Sequence, residues 1–166
     1  MKNTPTVVLA LLLALILLNT AATAQPVQSM KLLTAEVGWA QSGQQLYWTT
    51  DDGAHWKDIA PPRSSKQSLG GVFFLDTSTG WVVLSHPEEK AEQQFRVAAT
   101  SDAGATWLSS PIKLPWKRYA EDFAGGAAVF FLDRFHGWAK LGAVSQLLCL
   151  TRPVAGFAGR WQNVDA

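Results

Sequence analysis

A ten-residue phrase occurs twice in this chain: Val72 to Trp81 reads VFFLDTSTGW, and Val129 to Trp138 reads VFFLDRFHGW. A weaker copy, MKLLTAEVGW, runs from Met30 to Trp39. A Thr-containing strand and a second Trp follow each copy, so the repeating unit is longer than the phrase. A chain that repeats in this way stacks copies of one supersecondary unit, because no copy can bury its apolar face alone. The pairs Gly38-Trp39, Gly80-Trp81 and Gly137-Trp138 lie 42 and then 57 residues apart. That interval is within or near the range of four-stranded propeller blades.

Each unit reads as four short strands. The first is apolar (Met30–Leu33, Val72–Leu75, Val129–Leu132) and is expected to be the most buried. The second starts at the Gly-Trp pair, the third is Leu46–Thr49, Phe95–Thr100 or Gln146–Thr151, and the fourth starts near Trp56, Trp107 or Trp161. Short strands punctuated by Gly, Asp, Ser and Pro predict an all-β fold. The prediction is three four-stranded propeller-type blades, a partial propeller, with repeats at about 30–59, 72–111 and 128–164. The polar stretch Pro87–Gln94 reads as a long hairpin loop. Trp39, Trp81 and Trp138 are expected to be largely buried between neighbouring sheets.

The link between the third and fourth strands carries the sharpest motif. Thr49-Thr50-Asp51-Asp52-Gly53-Ala54-His55-Trp56 and Thr100-Ser101-Asp102-Ala103-Gly104-Ala105-Thr106-Trp107 share Thr-x-Asp-x-Gly-x-x-Trp. The spacing predicts a turn. A short carboxylate accepts from backbone N–H groups one or two residues on, and Gly supplies positive φ. The Thr hydroxyl ties down the strand end, and the Trp buries a large apolar area beneath the turn. Thr49, Asp51, Gly53, Trp56, Thr100, Asp102, Gly104 and Trp107 are therefore read as structural. The third unit departs: Pro153 stands where the Asp belongs, and Trp161 follows Thr151 by ten residues.

The two full copies resemble the Asp-box, or bacterial neuraminidase repeat. Joined to the F-x-D-x(3)-GW phrase, they resemble the photosystem II assembly and stability factor family, and are similar to sortilin-type propeller repeats. The resemblance covers about Met30 to Val164. It implies a β-propeller whose boxes lie at the blade periphery and hold structure, and it implies an assembly-factor role.

Residues 1–24 read as a secretory signal peptide. Lys2 is the positive start, Val7 to Leu18 an apolar run of 12 residues, and Ala22-Thr23-Ala24 a small-x-small cleavage site before Gln25. A spanning helix needs about 20 apolar residues, so the run is expected to be a leader and residues 25–166 the exported domain, periplasmic or extracellular. No later stretch reads as a membrane span. With Lys2 removed, basic and acidic side chains balance, which argues against nucleic acid as a partner. Cys149 is the only cysteine and sits in an apolar run, where a buried, inert thiol is expected.

Little in the chain suggests catalysis. His55, His86 and His136 fall one per unit in turns, with no metal-ligand spacing, so no metal and no cofactor is expected. The arginines are scattered and do not make a sialidase-type cluster. Trp116-Lys117-Arg118-Tyr119 is aromatic, basic and outside the repeat register, and these residue types carry interface hot spots. It is the candidate contact for a protein or peptide partner. Propeller rings usually close with four to eight blades. A longer propeller, a homo-oligomer completing a ring, or end faces covered by the linkers Pro61–Gly71 and Ser109–Gly126 would each resolve three blades. The expected function is an exported, non-enzymatic scaffold for a polypeptide. The alternative is a remnant of an Asp-box glycosidase, sialidase-like, or a sugar-binding protein.

Overall fold

A computed structural model of the chain describes residues 25–87, 93–112, 126–142, 147–151 and 160–163. These form twelve strands in three four-stranded antiparallel sheets. Sheet 1 comprises β1 (Val27–Leu32), β2 (Gly38–Ser42), β3 (Gln45–Thr49) and β4 (Lys57–Asp58). Sheet 2 comprises β5 (Ser68–Phe74), β6 (Gly80–Pro87), β7 (Gln93–Thr100) and β8 (Leu108–Ile112). Sheet 3 comprises β9 (Ala127–Phe131), β10 (His136–Leu141), β11 (Leu147–Thr151) and β12 (Arg160–Asn163). Within each sheet the strands follow chain order, so every connection is a hairpin. Among the described residues there is no helix, and hence none long and apolar enough to cross a membrane.

The middle sheet has apolar residues on both faces because its strands place successive side chains on opposite sides. Along β6, Val82 and Leu84 join Trp39, Leu46 and Trp48 of sheet 1 in one core cluster. Trp81 and Val83 join Val129, Phe131, Ala139 and Leu141 of sheet 3 in the other. All four β6 residues are buried. A run of consecutive apolar residues is what a strand covered on both faces requires.

The recurring phrase now has a packing explanation. Phe74 pairs with Gly80 and Phe131 with Gly137 across the β5–β6 and β9–β10 hairpins. Each Phe ring lies over its glycine: a Cβ on Gly80 would sit 2.4 Å from the Phe74 ring, and one on Gly137 2.5 Å from that of Phe131. The preceding sheet then supplies a Trp to the same ring. Trp39 and Trp48 meet Phe74 at centroid separations of 6.2 and 4.9 Å. Trp81 stacks on Phe131 at 3.7 Å and 9°. Gly seats the Phe of its own sheet, and Trp caps the Phe of the next.

Several expectations need correction. The first strands are not the most buried: β1 has no buried residue, and Met30 and Leu32 are 68% and 62% exposed. Leu32 occupies the register of Phe74 and Phe131, opposite Gly38, but no described sheet lies on that side of sheet 1 to cap it. Burial follows neighbouring sheets, not strand order, and so concentrates in β6 and β7. Trp138 is half-buried for the same reason and stacks on Phe130 of its own sheet at 6.0 Å. Strand β5 takes up the end of the Pro61–Gly71 linker, which Gln44 pins to the β2–β3 hairpin by accepting from Leu69 N and from Arg63. Among the described residues the linker leaves Met30 and Leu32 of β1 exposed. β8 takes in Ser109–Ile112, and Pro87, Gln93 and Gln94, expected in a long hairpin loop, belong to strands, with Pro87 paired to Gln93; the rest of that stretch lies outside the described residues. One expectation holds in the third unit: Trp161 pairs with Leu150, which lies opposite Gly137 as Thr49 and Thr100 lie opposite Gly38 and Gly80, so Trp161 keeps the register of Trp56 and Trp107.

Candidate functional site

Two turns meet at one end of each of the first two sheets. The β1–β2 type of turn is closed by a short polar side chain. Asp76 Oδ1 accepts from Ser78 N, Ser78 Oγ and Thr79 N, and Asp133 Oδ1 accepts from Phe135 N and His136 N. In sheet 1, Thr34 Oγ1 takes the same place, accepting from Glu36 N and Val37 N. The β3–β4 type of turn docks beside it through the backbone: Asp52 N donates to Glu36 O, and Ala103 N to Ser78 O.

The Thr-x-Asp-x-Gly-x-x-Trp turns divide their hydrogen bonds differently from the sequence expectation. The near amides go to Thr: Thr49 Oγ1 accepts from Asp51 N and Gly53 N, and Thr100 Oγ1 from Asp102 N and Gly104 N. Each hydroxyl donates to the Asp at 2.8 Å. The carboxylate reaches farther, accepting from His55 N and meeting its Nδ1, or accepting from Thr106 N and Thr106 Oγ1. Asp52 and Gly53, like Ala103 and Gly104, have positive φ, and Ala54 N and Ala105 N close the loops onto Asp51 O and Asp102 O. These are the φ signs of a type I′ turn. Glycine was expected at one of these positions; the left-handed Asp52 and Ala103 were not.

Burial of Thr100 makes this a stability element. Thr100→Val keeps the shape but strands the Gly104 N–H, and is expected to cost about 1–3 kcal/mol. Urea unfolding measures it; no loss would contradict the assignment of Thr100 as the centre of its turn.

The aspartates are held as anions. Backbone and side-chain hydrogen bonds from His55, then the Thr49 hydroxyl, lower the Asp51 pKa from 3.8 to about 2. The Thr106 hydroxyl and amide, then the Thr100 hydroxyl, also lower that of Asp102. The His136 ring and the Phe135 amide lower that of Asp133. At Asp76 burial opposes ionisation, but bonds from Ser78 and Thr79 outweigh it. A carboxyl depressed in the folded state stabilises the fold above its unfolded pKa, and that contribution disappears as pH falls through the folded value. The thermal midpoint is expected to be flat above about pH 5 and to fall as pH drops from about 4 towards 2. Asp51→Asn is expected to weaken that fall, which melts across an acid series would show.

The repeated Trp residues do not share one environment. Trp107 is half-buried and donates its indole N–H to Ile59 O, just past β4 of sheet 1, at 2.9 Å. Beside it, a Cβ on Gly104 would lie 2.8 Å from the Ile59 side chain. Trp56 is 45% exposed, and among the described residues it donates to nothing. It precedes β4, and its ring packs against Gly53 of its own turn, 3.5 Å from where a Cβ would stand, but leaves nearly half of its surface open. Between the two turns lies a cleft of about 360 Å³ whose wall includes Trp56, Asp51, His55, Asp102, Ala105 and Lys57.

Eight residues read as structural from the sequence thus form two matching turns around one cleft. Trp116, Lys117, Arg118 and Tyr119 lie outside the described residues, as do residues 1–24, expected to be a leader, and Pro153. Thr34, Asp76 and Asp133 were missed; their signal was the polar residue four positions before each Gly in the repeated phrase. Among the described residues no three His, Cys, Asp or Glu groups are placed to hold a metal ion.

No protein-family model matches this chain, and no curated protein does. Among solved structures it is similar to YCF48 bound to D1 peptide, with a TM-score of 0.56 and 21% identity over 86% of this chain. The chain spans 40% of the length of that structure. The likeness is one of fold: an all-β chain of successive antiparallel sheets, related to a propeller.

Proposed function

We propose that this chain is an exported, non-enzymatic β-propeller-type scaffold that binds a polypeptide partner, in the manner of an assembly factor. The observation that carries the reading is its likeness to YCF48, whose structure holds D1 peptide. The turns support it as well. On this reading they are Asp-boxes, whose carboxylates spend most of their acceptor sites on groups of the turn itself. A stack of sheets locked by Trp–Phe contacts offers the preorganised surface that limits the entropic cost of binding. The leader 1–24 sends residues 25–166 out of the cytoplasm, and Trp116-Lys117-Arg118-Tyr119 is a second contact stretch on this reading.

Selection of displayed random dodecapeptides on the purified full chain tests the proposal. Enrichment of a shared motif that is lost on heat-unfolded protein is expected. Equal recovery on folded and unfolded protein would sink it. Export is tested separately: amino-terminal sequencing of the secreted product should begin at Gln25.

A further inference from the structure

We infer that the cleft between the two Asp-box turns is a subsite for a basic side chain, arginine above all, of a bound polypeptide. The inference rests on the polypeptide-binding reading above and adds to it a place and a chemistry. It starts from the inequality of two matching tryptophans. Trp107 closes the boundary of sheets 1 and 2 and spends its indole N–H on Ile59 O. Trp56 comes from the same motif, yet its ring stays 45% exposed on the wall of an open cleft. A single exposed aromatic residue is ordinary. Here it shares a cleft with two carboxylates held below the usual range.

The acceptor inventory fits one class of group. An ionised carboxylate has about four lone-pair sites. Asp51 uses three of them on Thr49 Oγ1, His55 N and His55 Nδ1, and Asp102 uses three on Thr100 Oγ1, Thr106 N and Thr106 Oγ1. Each keeps a negative charge and about one free acceptor site. A guanidinium is planar, stacks on an indole face and carries donors on several edges. It can stack on Trp56 while donating to a carboxylate. Lys57 is the one fixed cation on the wall. The His55 side chain, 90% exposed, is free to leave Asp51 and release another acceptor. A neutral sugar ring would also stack on Trp56 and donate hydroxyls to the carboxylates, but only a cation pairs their charge as well.

The test uses the full chain, the selected dodecapeptides and two substitutions on exposed positions of the wall, Trp56→Ala and Ala105→Lys. The latter adds a cation to the wall that carries Trp56, and unchanged thermal melts establish that both variants fold. Arginine is expected among the selected residues, and citrulline in its place should weaken binding at least about tenfold by removing the charge. Each substitution should weaken binding of the arginine peptide similarly. Selected peptides without basic residues, or affinities indifferent to both substitutions, would overturn the subsite and leave the scaffold reading standing. Trp56-dependent binding of maltotriose that displaces the peptide would reassign the cleft to sugars and also overturn it. Failure to enrich any peptide would instead remove the scaffold reading itself.

Discussion

Trp81→Ala is expected to destabilise the protein by about 3–5 kcal/mol, the range for truncating a large aromatic residue in a packed core. Trp81 is 3% exposed, and its ring lies flat on Phe131 of the next sheet. Removing it takes away apolar contact on both partners and opens a cavity between sheets 2 and 3 that neither backbone can close. Trp138 is the internal control. It holds the matching place in sheet 3 but is half-buried, so Trp138→Ala should cost clearly less. Urea unfolding of both variants gives the comparison. Equal losses would show that burial between sheets is not what the Gly-Trp pair supplies.

The second large effect is expected at Gly71, where nothing is removed. A Cβ there would lie 2.8 Å from Ala127 O and Ala128 Cα and 2.9 Å from Val129 N. All three atoms are backbone, so no side-chain rotation can relieve the contact. Gly71→Ala must push β9 away from β5, at the upper end of the roughly 1–3 kcal/mol typical of overpacking. Gly70→Ala meets Ala127 Cβ at 3.0 Å and Val83 O at 3.1 Å, and should be milder. Near-ultraviolet circular dichroism should report a loosened Trp81–Phe131 stack in the Gly71 variant. A native spectrum with unchanged stability would contradict the close approach of β5 to β9.

Local features were legible in the sequence, and features set by neighbours were not. The Gly-Trp phrase places β2, β6 and β10, and the Thr-x-Asp-x-Gly-x-x-Trp spacing places the turns, because each depends on residues within one hairpin. The exposure of Leu32, Trp56 and Trp138 depends on whether another sheet stands beside them, and the same letters occur in covered and uncovered copies. Burial of the first strand was inferred from its apolar letters, which β1 shares with its covered counterparts. The hydrogen bonds of Asp51 and Asp102 escaped for a different reason. The Thr hydroxyl competes for the nearby amides and wins them, so the carboxylate turns to the residue four positions on. The cleft was invisible because its two walls lie in different repeats.

The four consecutive buried residues of β6 make that strand common to both cores. When units contact only their immediate neighbours, stability is close to a sum of unit and interface terms, and the members at the ends open first. Amide protons of β6 should therefore be the slowest in the chain to exchange with solvent, released only when the whole stack opens. A peptide seated between the turns of sheets 1 and 2 would slow exchange in β2 and β3 before it slowed exchange in sheet 3. The pattern of protection along the chain would then locate the peptide with no substitution at all.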